Sequence, residues 1–245
     1  MESATDDEGT EPAAGMSAVA QDLRSYGRRR GRKLSPRQDR LMRELLPRVS
    51  PDLGRPAPQE LARALFVAPV REAWLEIGFG GGEHLLWQAR HNPGVGLIGA
   101  EPFEDGVVKV LAAIEDEGLG NVAVHGDDAR ALLRWLPHAS IARAFILFPD
   151  PWPKRRHVKR RLINPGLLAL LARVLKPGAE LRIATDIGDY ARTILMAFQA
   201  TEAFVWLAAR PDDWRRRSDD WCATRYEAKA LREGRRSCYL RFARR

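Results

Sequence analysis

Residues 148–152 read Phe-Pro-Asp-Pro-Trp and place one carboxylate beside one indole at the end of an apolar stretch. The two prolines restrict the backbone on either side of Asp150, so its carboxylate is presented in a defined direction. Trp152 offers an aromatic face for stacking or a hydrophobic wall. The segment predicts a reactive corner, although a rigid turn with a capping Asp has the same composition.

A dense cationic run follows this corner directly. Residues 154–161 contain six basic side chains, namely Lys154, Arg155, Arg156, Lys159, Arg160 and Arg161. Such a run is usually the solvated face of a helix, but beside a reactive carboxylate it is suited to holding phosphates. The net charge of +8 and the pI near 10.0 also favour a polyanionic partner. A basic surface that binds no nucleic acid is the alternative.

Glu76 precedes a glycine-rich loop at residues 78–82, where an apolar strand is expected to give way to a helix. Glycines allow a tight turn and a close approach of backbone NH groups to a ligand. The dinucleotide fingerprint would need its third glycine at the position of Glu83, so pyrophosphate fits poorly. A carboxylate near Gly78 and Gly80 instead suits a cationic, amino-acid-bearing nucleoside such as S-adenosylmethionine. A plain structural turn is the alternative interpretation.

Two further acids follow the next two expected strands. Glu101 stands where a doubly wound fold places the acid that accepts from ribose hydroxyls. Asp128 stands where a side chain can accept from the adenine amino group. Either acid alone would more often be a helix cap or a solvated charge. Acids at three successive strand ends together indicate one nucleoside site, because the carboxyl ends of parallel strands meet at one edge of a sheet.

The chain from residue 70 alternates strand-like and helix-like segments. The strands are expected at 70–77, 95–100, 121–125, 141–148 and 180–184, and the helices between them at 83–91, 103–117, 129–135, 165–175 and 186–200. This alternation predicts an α/β fold with a mostly parallel sheet covered by helices on both faces. Segments 204–207 and 238–242 are expected to complete the sheet as an antiparallel pair at one edge.

Three regions are expected along the chain. Residues 1–22 carry six acids and no Lys or Arg, which predicts a disordered acidic leader. Residues 23–50 form a basic arm followed by a helix that begins at Ser35-Pro36 and continues through Leu46. Residues 51–245 form the catalytic-size domain.

Several classes of protein are disfavoured by composition. The two cysteines, Cys222 and Cys238, and the five scattered histidines provide no disulfide framework and no metal site. Neither a signal peptide nor a membrane-spanning run is present, so a cytoplasmic location is expected. The sequence does not distinguish a monomer from a homodimer.

Five ordered motifs resemble those of the bacterial tRNA (guanine-N7)-methyltransferases, the TrmB family of class I S-adenosylmethionine-dependent enzymes. The match covers most of residues 24–243. The motifs are Arg24-Ser25-Tyr26 with the basic arm and 34–38, residues 75–80, residues 148–152 with Lys154 and Arg156-His157, residues 184–186, and residues 224–227. The resemblance implies a Rossmann-like class I methyltransferase fold.

The resemblance also implies methyl transfer to N7 of guanosine 46 in the tRNA variable loop. Glu76, Gly78, Gly80, Glu101, Asp128 and Asp150 would line the cofactor and the reaction site. The residues expected to meet the tRNA are Lys154, Asp186, Thr224, Arg225, Tyr226 and Glu227, together with the basic residues of 155–161. Tyr26, Trp152 and Tyr226 are candidates for stacking on the exposed base.

Guanine N7 chemistry needs no strong base, because N7 already carries a lone pair and the sulfonium methyl is already activated. In-line positioning is the main requirement. Asp150 is therefore expected to accept from the guanine N1 hydrogen and amino group and to favour the cationic product. The chain has neither a Pro-Cys nucleophile for pyrimidine C5 nor an Asn-Pro-Pro-Tyr segment for exocyclic amines.

Three other functions compete with this interpretation. A nicotinamide-dependent dehydrogenase is disfavoured by Glu83 at the third glycine position. A non-catalytic RNA-binding or assembly protein on a Rossmann-like fold would bind tRNA without transferring a methyl group. The third alternative is a methyltransferase that acts on another RNA.

Overall fold

A seven-stranded sheet forms the centre of the molecule in the computed structural model, which describes Gly27 and residues 29–245. The strand order is β3-β2-β1-β4-β5-β7-β6. The strands are β1 (Glu72–Ile77), β2 (Val95–Ala100), β3 (Val122–His125), β4 (Ile141–Leu147), β5 (Leu175–Thr185), β6 (Phe204–Trp206) and β7 (Cys238–Arg244). Strands β1 to β5 run parallel, and β7 runs antiparallel to both of its neighbours. The mostly parallel α/β sheet and its late antiparallel pair are confirmed, and β6 is the outer strand of that pair.

Helices cover both faces of this sheet. They are α1 (Pro36–Arg40), α2 (Leu46–Val49), α3 (Leu61–Leu65), α4 (Glu83–His91), α5 (Glu104–Glu117), α6 (Ala129–Trp135), α7 (Pro165–Val174), α8 (Gly188–Gln199), α9 (Asp212–Arg215) and α10 (Arg225–Arg232). A π-helical turn, Leu41–Leu45, joins α1 to α2, and a 3-10 helix spans Arg155–Arg160. Helices α6, α7 and α8 bury their apolar residues in one core, and α4, α5 and the π-helical turn bury theirs in a second.

The two cores are separated by the alternation of side chains along the strands. In β1, Leu75 and Ile77 lie in the core with α6, α7 and α8, whereas Trp74 lies in the core with α4 and α5. Successive side chains of a strand point to opposite faces, so a strand buried on both faces is apolar almost throughout. This burial accounts for the short apolar runs by which the parallel strands were predicted.

The helical pattern after the basic arm begins as predicted. Ser35 caps α1 by accepting from the amide of Gln38 at 3.3 Å, and the Gln38 side chain accepts from the Ser35 amide at 2.9 Å. This reciprocal pair is a capping box, and Pro36 occupies the first helical turn. The helical segment ends at Val49 rather than Leu46, and Leu41 is fully buried in the second core.

The carboxyl edge of the sheet brings the predicted site residues together. Because β1 to β5 are parallel, the residues that follow them emerge at one edge. The glycine loop follows β1, Glu101 follows β2, Asp128 follows β3 and Asp150 follows β4. These four loops therefore lie side by side, although they are distant from one another in the sequence. The predicted ends of the strands were sufficient to place them at the same edge.

Candidate active site

A cavity of about 740 Å³ opens at this edge of the sheet. Its lining includes Gly78 and Gly80 of the glycine loop, Glu101, Asp128 and Asp150. Such a volume is typical of pockets that bury most of a small-molecule ligand. Five of the six residues expected around the cofactor thus share one cavity.

The glycine loop adopts backbone conformations that other residues rarely take. Gly78, Gly80 and Gly82 have φ of 75°, 55° and 80°, a region in which a Cβ is strained. The amide of Gly80 donates to Oε2 of Glu101 at 2.8 Å. The loop is therefore tied to the end of β2, next to the cavity.

Glu101 is buried, and both of its carboxylate oxygens accept hydrogen bonds from backbone amides. Oε1 accepts from Phe103 at 2.9 Å, while Oε2 accepts from Gly80. Burial raises the pKa of Glu101 above its ordinary value, although these two hydrogen bonds oppose the shift. Its carboxylate holds the loop and borders the cavity at the same time.

Glu76 lies apart from the large cavity, in a small recess beside it. It is 2% exposed, and its Oε2 lies 2.7 Å from Nδ1 of His84. The recess is also lined by Gly78, Thr224 and Tyr226, and it shares Gly78 and Tyr226 with the large cavity. Glu76 is therefore a neighbour of the large cavity and not part of its lining.

Asp128 has two structural roles at the rim of the cavity. It caps α6, with Oδ1 accepting from the amide of Arg130 at 2.9 Å, and it forms an ion pair with the Arg130 guanidinium at 2.7 Å. Burial alone would raise the pKa of Asp128, but the hydrogen bonds from Arg130 outweigh it and leave the pKa below its ordinary value. The carboxylate is thus ionised at neutral pH and already engaged by a cation.

The loop that carries Asp150 has an unusual backbone on both sides. Phe148 and Trp152 have φ of 51° and 41°, a left-handed region that costs about 1–3 kcal/mol for residues other than glycine. The Phe148 amide donates to the carbonyl of Ala184 at 2.8 Å, which joins the loop to β5. Asp150 itself is exposed and has no hydrogen bond with another described residue.

The basic arm passes close to this loop. A Cβ built on Gly27 would lie 4.0 Å from Oδ2 of Asp150. Farther along, Arg29 forms an ion pair with Asp127, and its carbonyl accepts from the Glu104 amide at 3.0 Å. The arm therefore crosses the edge of the cavity between the ends of β3 and β2. Tyr26 and the acidic leader lie outside the described residues.

Most of the cationic run is exposed. Lys154, Arg155, Arg156 and Lys159 all face solvent around the 3-10 helix. Arg160 is half-buried, with its Cζ 5.0 Å from the centre of the Trp152 ring, and both of these residues line the cavity. An exposed basic surface therefore adjoins the loop of Asp150.

Arg161 differs from the rest of the run because it is 4% exposed. Its Nε donates to the carbonyl of Pro151 at 2.9 Å and its Nη1 to Oγ1 of Thr193 at 2.5 Å. Its guanidinium also pairs with Asp189 and lies 4.9 Å from the centre of the Tyr190 ring. Arg161 was expected to face phosphate, and in the structure its guanidinium is engaged by protein groups that join the Asp150 loop to α8.

The start of α10 packs against the glycine loop. Thr224 is buried and caps the helix by accepting from the Glu227 amide at 3.3 Å. A Cβ on Gly80 would lie 3.2 Å from the Tyr226 ring, and the Arg225 amide donates to Glu83 at 3.2 Å. Of this group, Arg225 and Tyr226 are exposed beside the cavity.

Asp186 and Glu227 are both engaged within the protein. Asp186 pairs with Arg235 at 2.6 Å. Oε1 of Glu227 accepts from the Tyr239 hydroxyl at 2.6 Å and from Arg217 at 3.1 Å. Both were expected to meet the tRNA, and in the structure each holds a neighbouring element through these contacts.

A buried polar chain that starts at Glu76 was not predicted from the sequence. His84 and Gln88 are 2% and 1% exposed, and they connect Glu76 to the carbonyl of Asp220. The spacing of His84 and Gln88, one helical turn apart in α4, was the available signal. This spacing places the two side chains on one face of α4, but only the packing of α4 beside Glu76 makes them a chain that includes that carboxylate.

The cavity fits S-adenosylmethionine. Its volume, its glycine loop, buried Glu101 and the adjoining Glu76 match a nucleoside that carries a cationic amino-acid group. No cluster of three or more His, Cys, Asp or Glu able to hold a metal ion occurs among the described residues, and within them no helix is long and apolar enough to cross a membrane. The fold and the site define a class I S-adenosylmethionine-dependent methyltransferase.

The particular family follows from similarity to known proteins. A family model described as "Putative methyltransferase" matches residues 71–240. The tRNA (guanine-N(7)-)-methyltransferase of Ruegeria pomeroyi is 52% identical over 224 residues, which is 89% of this chain and 93% of that protein. The protein of the same name from Brucella melitensis is 50% identical over 220 residues, covering 90% and 94%. This chain therefore belongs to the tRNA (guanine-N7)-methyltransferase family.

A solved structure supports the fold independently. The crystal structure of the 16S rRNA methyltransferase KamB has a TM-score of 0.56 to this chain, with 17% identity. The similarity covers 78% of this chain and 95% of KamB. At this level of identity the comparison concerns the fold alone.

Proposed function

We propose that this protein transfers the methyl group of S-adenosylmethionine to N7 of guanosine in tRNA, at position 46 of the variable loop. The observation that carries the proposal is the convergence of Asp150, the cationic run and the glycine loop on one cavity. The family relatives named for this activity support the substrate and the reacting atom. A tRNA substrate also agrees with the cytoplasmic location expected from composition.

Three acids and the glycine loop would hold the cofactor. Glu101 would accept from the ribose hydroxyls, Asp128 would face the adenine, and Glu76 would face the cationic amino-acid group. When bound, S-adenosylmethionine supplies a methyl group activated by its sulfonium. Gly78 and Gly80 would allow the close approach that this ligand needs.

Asp150 would orient the target base and support the positive charge that develops on it. A carboxylate can accept from the guanine N1 hydrogen and amino group at once, which fixes the ring in its plane. The same charge favours the cationic 7-methylguanosine over the neutral guanosine. Exposure of Asp150 between two left-handed residues leaves its carboxylate available to the base.

The exposed cations would bind the tRNA backbone beside this loop. Lys154, Arg155, Arg156 and Lys159 would contact phosphates, with Arg160 and the exposed part of the arm extending the same surface. Trp152 and Tyr226 line the cavity and could stack on the exposed base. Arg225 would border the tRNA from the other side, while Thr224, Glu227 and Asp186 would hold α10 and the segments next to it.

Arg161 would position the Asp150 loop and would not contact phosphate. It donates to the carbonyl of Pro151, the residue after Asp150, and to Thr193 of α8, so it attaches the loop to that helix. A loop with strained residues on both sides of its proline-flanked acid requires such an attachment.

The test is a methyl-transfer assay on a defined tRNA. The full chain is incubated with labelled S-adenosylmethionine and an unmodified tRNA transcript, and nucleoside analysis should find 7-methylguanosine. A transcript with adenosine at position 46 should accept no label. Labelling of that transcript would refute the position, and absence of 7-methylguanosine from every transcript would refute the activity, leaving an RNA-binding protein if tRNA affinity is retained.

Asp150→Asn and Glu202→Gln form a matched pair of variants for the same assay. Glu202 is exposed and precedes β6, so it lies at the opposite edge of the sheet. Its variant should transfer methyl groups like the unaltered protein. Equal activity of the two variants would refute the role of Asp150.

A further inference from the structure

A buried polar chain leads from Glu76 through α4 to the loop that precedes α10. Glu76 Oε2 lies 2.7 Å from His84 Nδ1, and His84 Nε2 lies 3.1 Å from Gln88 Nε2. Gln88 Nε2 is also 2.8 Å from the carbonyl oxygen of Asp220. Glu76, His84 and Gln88 are each at most 2% exposed, so the hydrogen-bonding groups of their side chains rely on one another and not on bulk water.

Backbone carbonyls determine which atoms of this chain donate. The Asp220 carbonyl can only accept, so the Gln88 atom that faces it must be the amide nitrogen. The side-chain nitrogen of Asn92, Nδ2, donates to the backbone carbonyl of Gln88 at 3.1 Å and to Gln88 Oε1 at 2.9 Å. These two hydrogen bonds support the same orientation of the Gln88 side chain. The Gln88 NH₂ group therefore also donates to His84 Nε2, which must be unprotonated.

The proton of His84 is consequently assigned to Nδ1, where it is donated to Glu76. Histidine is then the neutral Nδ1–H tautomer, which donates one hydrogen bond to Glu76 and accepts one from Gln88. An imidazolium at this position would bring an Nε2–H against the Gln88 NH₂ group and would cancel the charge of Glu76. Gln88 thus opposes the protonated form of His84.

We propose that His84 is a positioning residue that holds Glu76 for the cationic amino-acid group of S-adenosylmethionine, and that Gln88 keeps His84 neutral. Oε2 of Glu76 is used by His84, whereas Oε1 has no hydrogen bond with any described residue. Glu76 borders the recess that adjoins the large cavity, so Oε1 is the oxygen left for the ligand. The proposal rests on cofactor binding at this site and is independent of which RNA is methylated.

Packing is the competing explanation for the buried histidine. The His84 ring lies 4.6 Å from the Phe145 ring and 5.8 Å from the Trp221 ring, edge to face with both. A phenylalanine at position 84 preserves these apolar contacts but has no donor. An asparagine loses the ring but can place an amide NH near the position of Nδ1. The two substitutions therefore separate packing from hydrogen bonding.

The experiment compares His84→Phe with His84→Asn by calorimetric binding of two ligands. S-adenosylhomocysteine carries the ammonium group, and 5′-methylthioadenosine lacks the whole amino-acid part. His84→Phe should weaken the binding of S-adenosylhomocysteine on the order of tenfold, because Glu76 loses the hydrogen bond from His84 that holds its carboxylate for the ammonium group. The same variant should leave the binding of methylthioadenosine unchanged. His84→Asn should retain most of the affinity. In a Glu76→Gln background, His84→Phe should have little further effect.

Either of two results would overturn the proposal. A Phe variant that binds both ligands normally, with the Asn variant impaired, would assign packing alone. Nitrogen NMR of histidine in the unaltered protein offers a test that needs no variant to fold. It should find His84 protonated at Nδ1 only, and protonation at Nε2 in the free protein would refute the assignment. None of these measurements uses tRNA, so they are separable from the test of the methylated position.

Discussion

Replacement of Arg161 by Met should slow methyl transfer without weakening the electrostatic binding of tRNA. Methionine keeps much of the buried side-chain length but removes the donors to Pro151 and Thr193. A hydrogen bond from a charged group contributes about 1.5–3 kcal/mol. The ion pair with Asp189 adds little, because that carboxylate side chain is 72% exposed.

The loss should be concentrated in the loop that carries Asp150. If about 2–3 kcal/mol of loop attachment disappears, the ratio of the productive to the released loop conformation falls roughly 30- to 150-fold, since 1.4 kcal/mol is a factor of ten. The left-handed residues Phe148 and Trp152 favour this release, because their strain persists only while the surroundings hold them. The expected result is a lower single-turnover rate at saturating tRNA.

Arg156→Met is the matched control, because Arg156 belongs to the same run but is exposed. Its loss should weaken tRNA binding and reduce the slope of log affinity against log salt by about 0.7–0.9 for one phosphate contact. Its rate at saturating tRNA should not change. For Arg161→Met the slope should equal that of the unaltered protein. A reduced slope with a normal saturated rate would show that Arg161 contacts phosphate and would refute this reasoning.

Three further predictions concern individual side chains. Asp150→Asn should lower the methyl-transfer rate roughly 100-fold, as expected for loss of one charge-stabilising group. Its melting temperature should not change, because Asp150 is exposed. A normal rate would contradict the role of Asp150. Burial raises the pKa of Glu101, so the folded state binds this proton more tightly than the unfolded state and the cofactor-free protein should lose stability as pH rises through that pKa. Melting scans of Glu101→Gln should lack this decrease, and an identical pH profile would exclude Glu101 as its source. Burial, assisted by the charge of Glu76, raises the pKa of the Cys222 thiol to about 11. Iodoacetamide at pH 8 should therefore label Cys222 at least ~100-fold more slowly than free cysteine, as measured by peptide mass spectrometry. Labelling at the rate of free cysteine would refute this prediction.

The parallel part of the fold was predictable because its signals are local. Strands buried on both faces appear as short apolar runs, and α4 and α6 were predicted with the bounds that the structure has. The antiparallel pair was predicted as well, but the order of β6 and β7 was not. That order depends on which of the two strands pairs with β5, and the six register pairs between β5 and β7 decide it.

The site was predictable to the extent that topology alone places it. Glu101, Asp128 and Asp150 follow parallel strands, so their convergence needed only the strand assignments. The pairing of Asp128 with Arg130 and the recess around Glu76 were not predictable, because they depend on side-chain directions.

The sequence by itself determined the α/β class, the family motifs and the set of acids at one edge of the sheet, because strand periodicity and residue order specify all three. Only the tertiary structure decided what neighbouring, chemically equal side chains do. Arg160 and Arg161 are adjacent and identical in type, yet one lies over Trp152 beside the cavity and the other is buried under the Asp150 loop. His84 likewise acquired its place only when α4 packed beside β1. Burial and hydrogen-bond partners arise from contacts between distant segments, and no local pattern contains them.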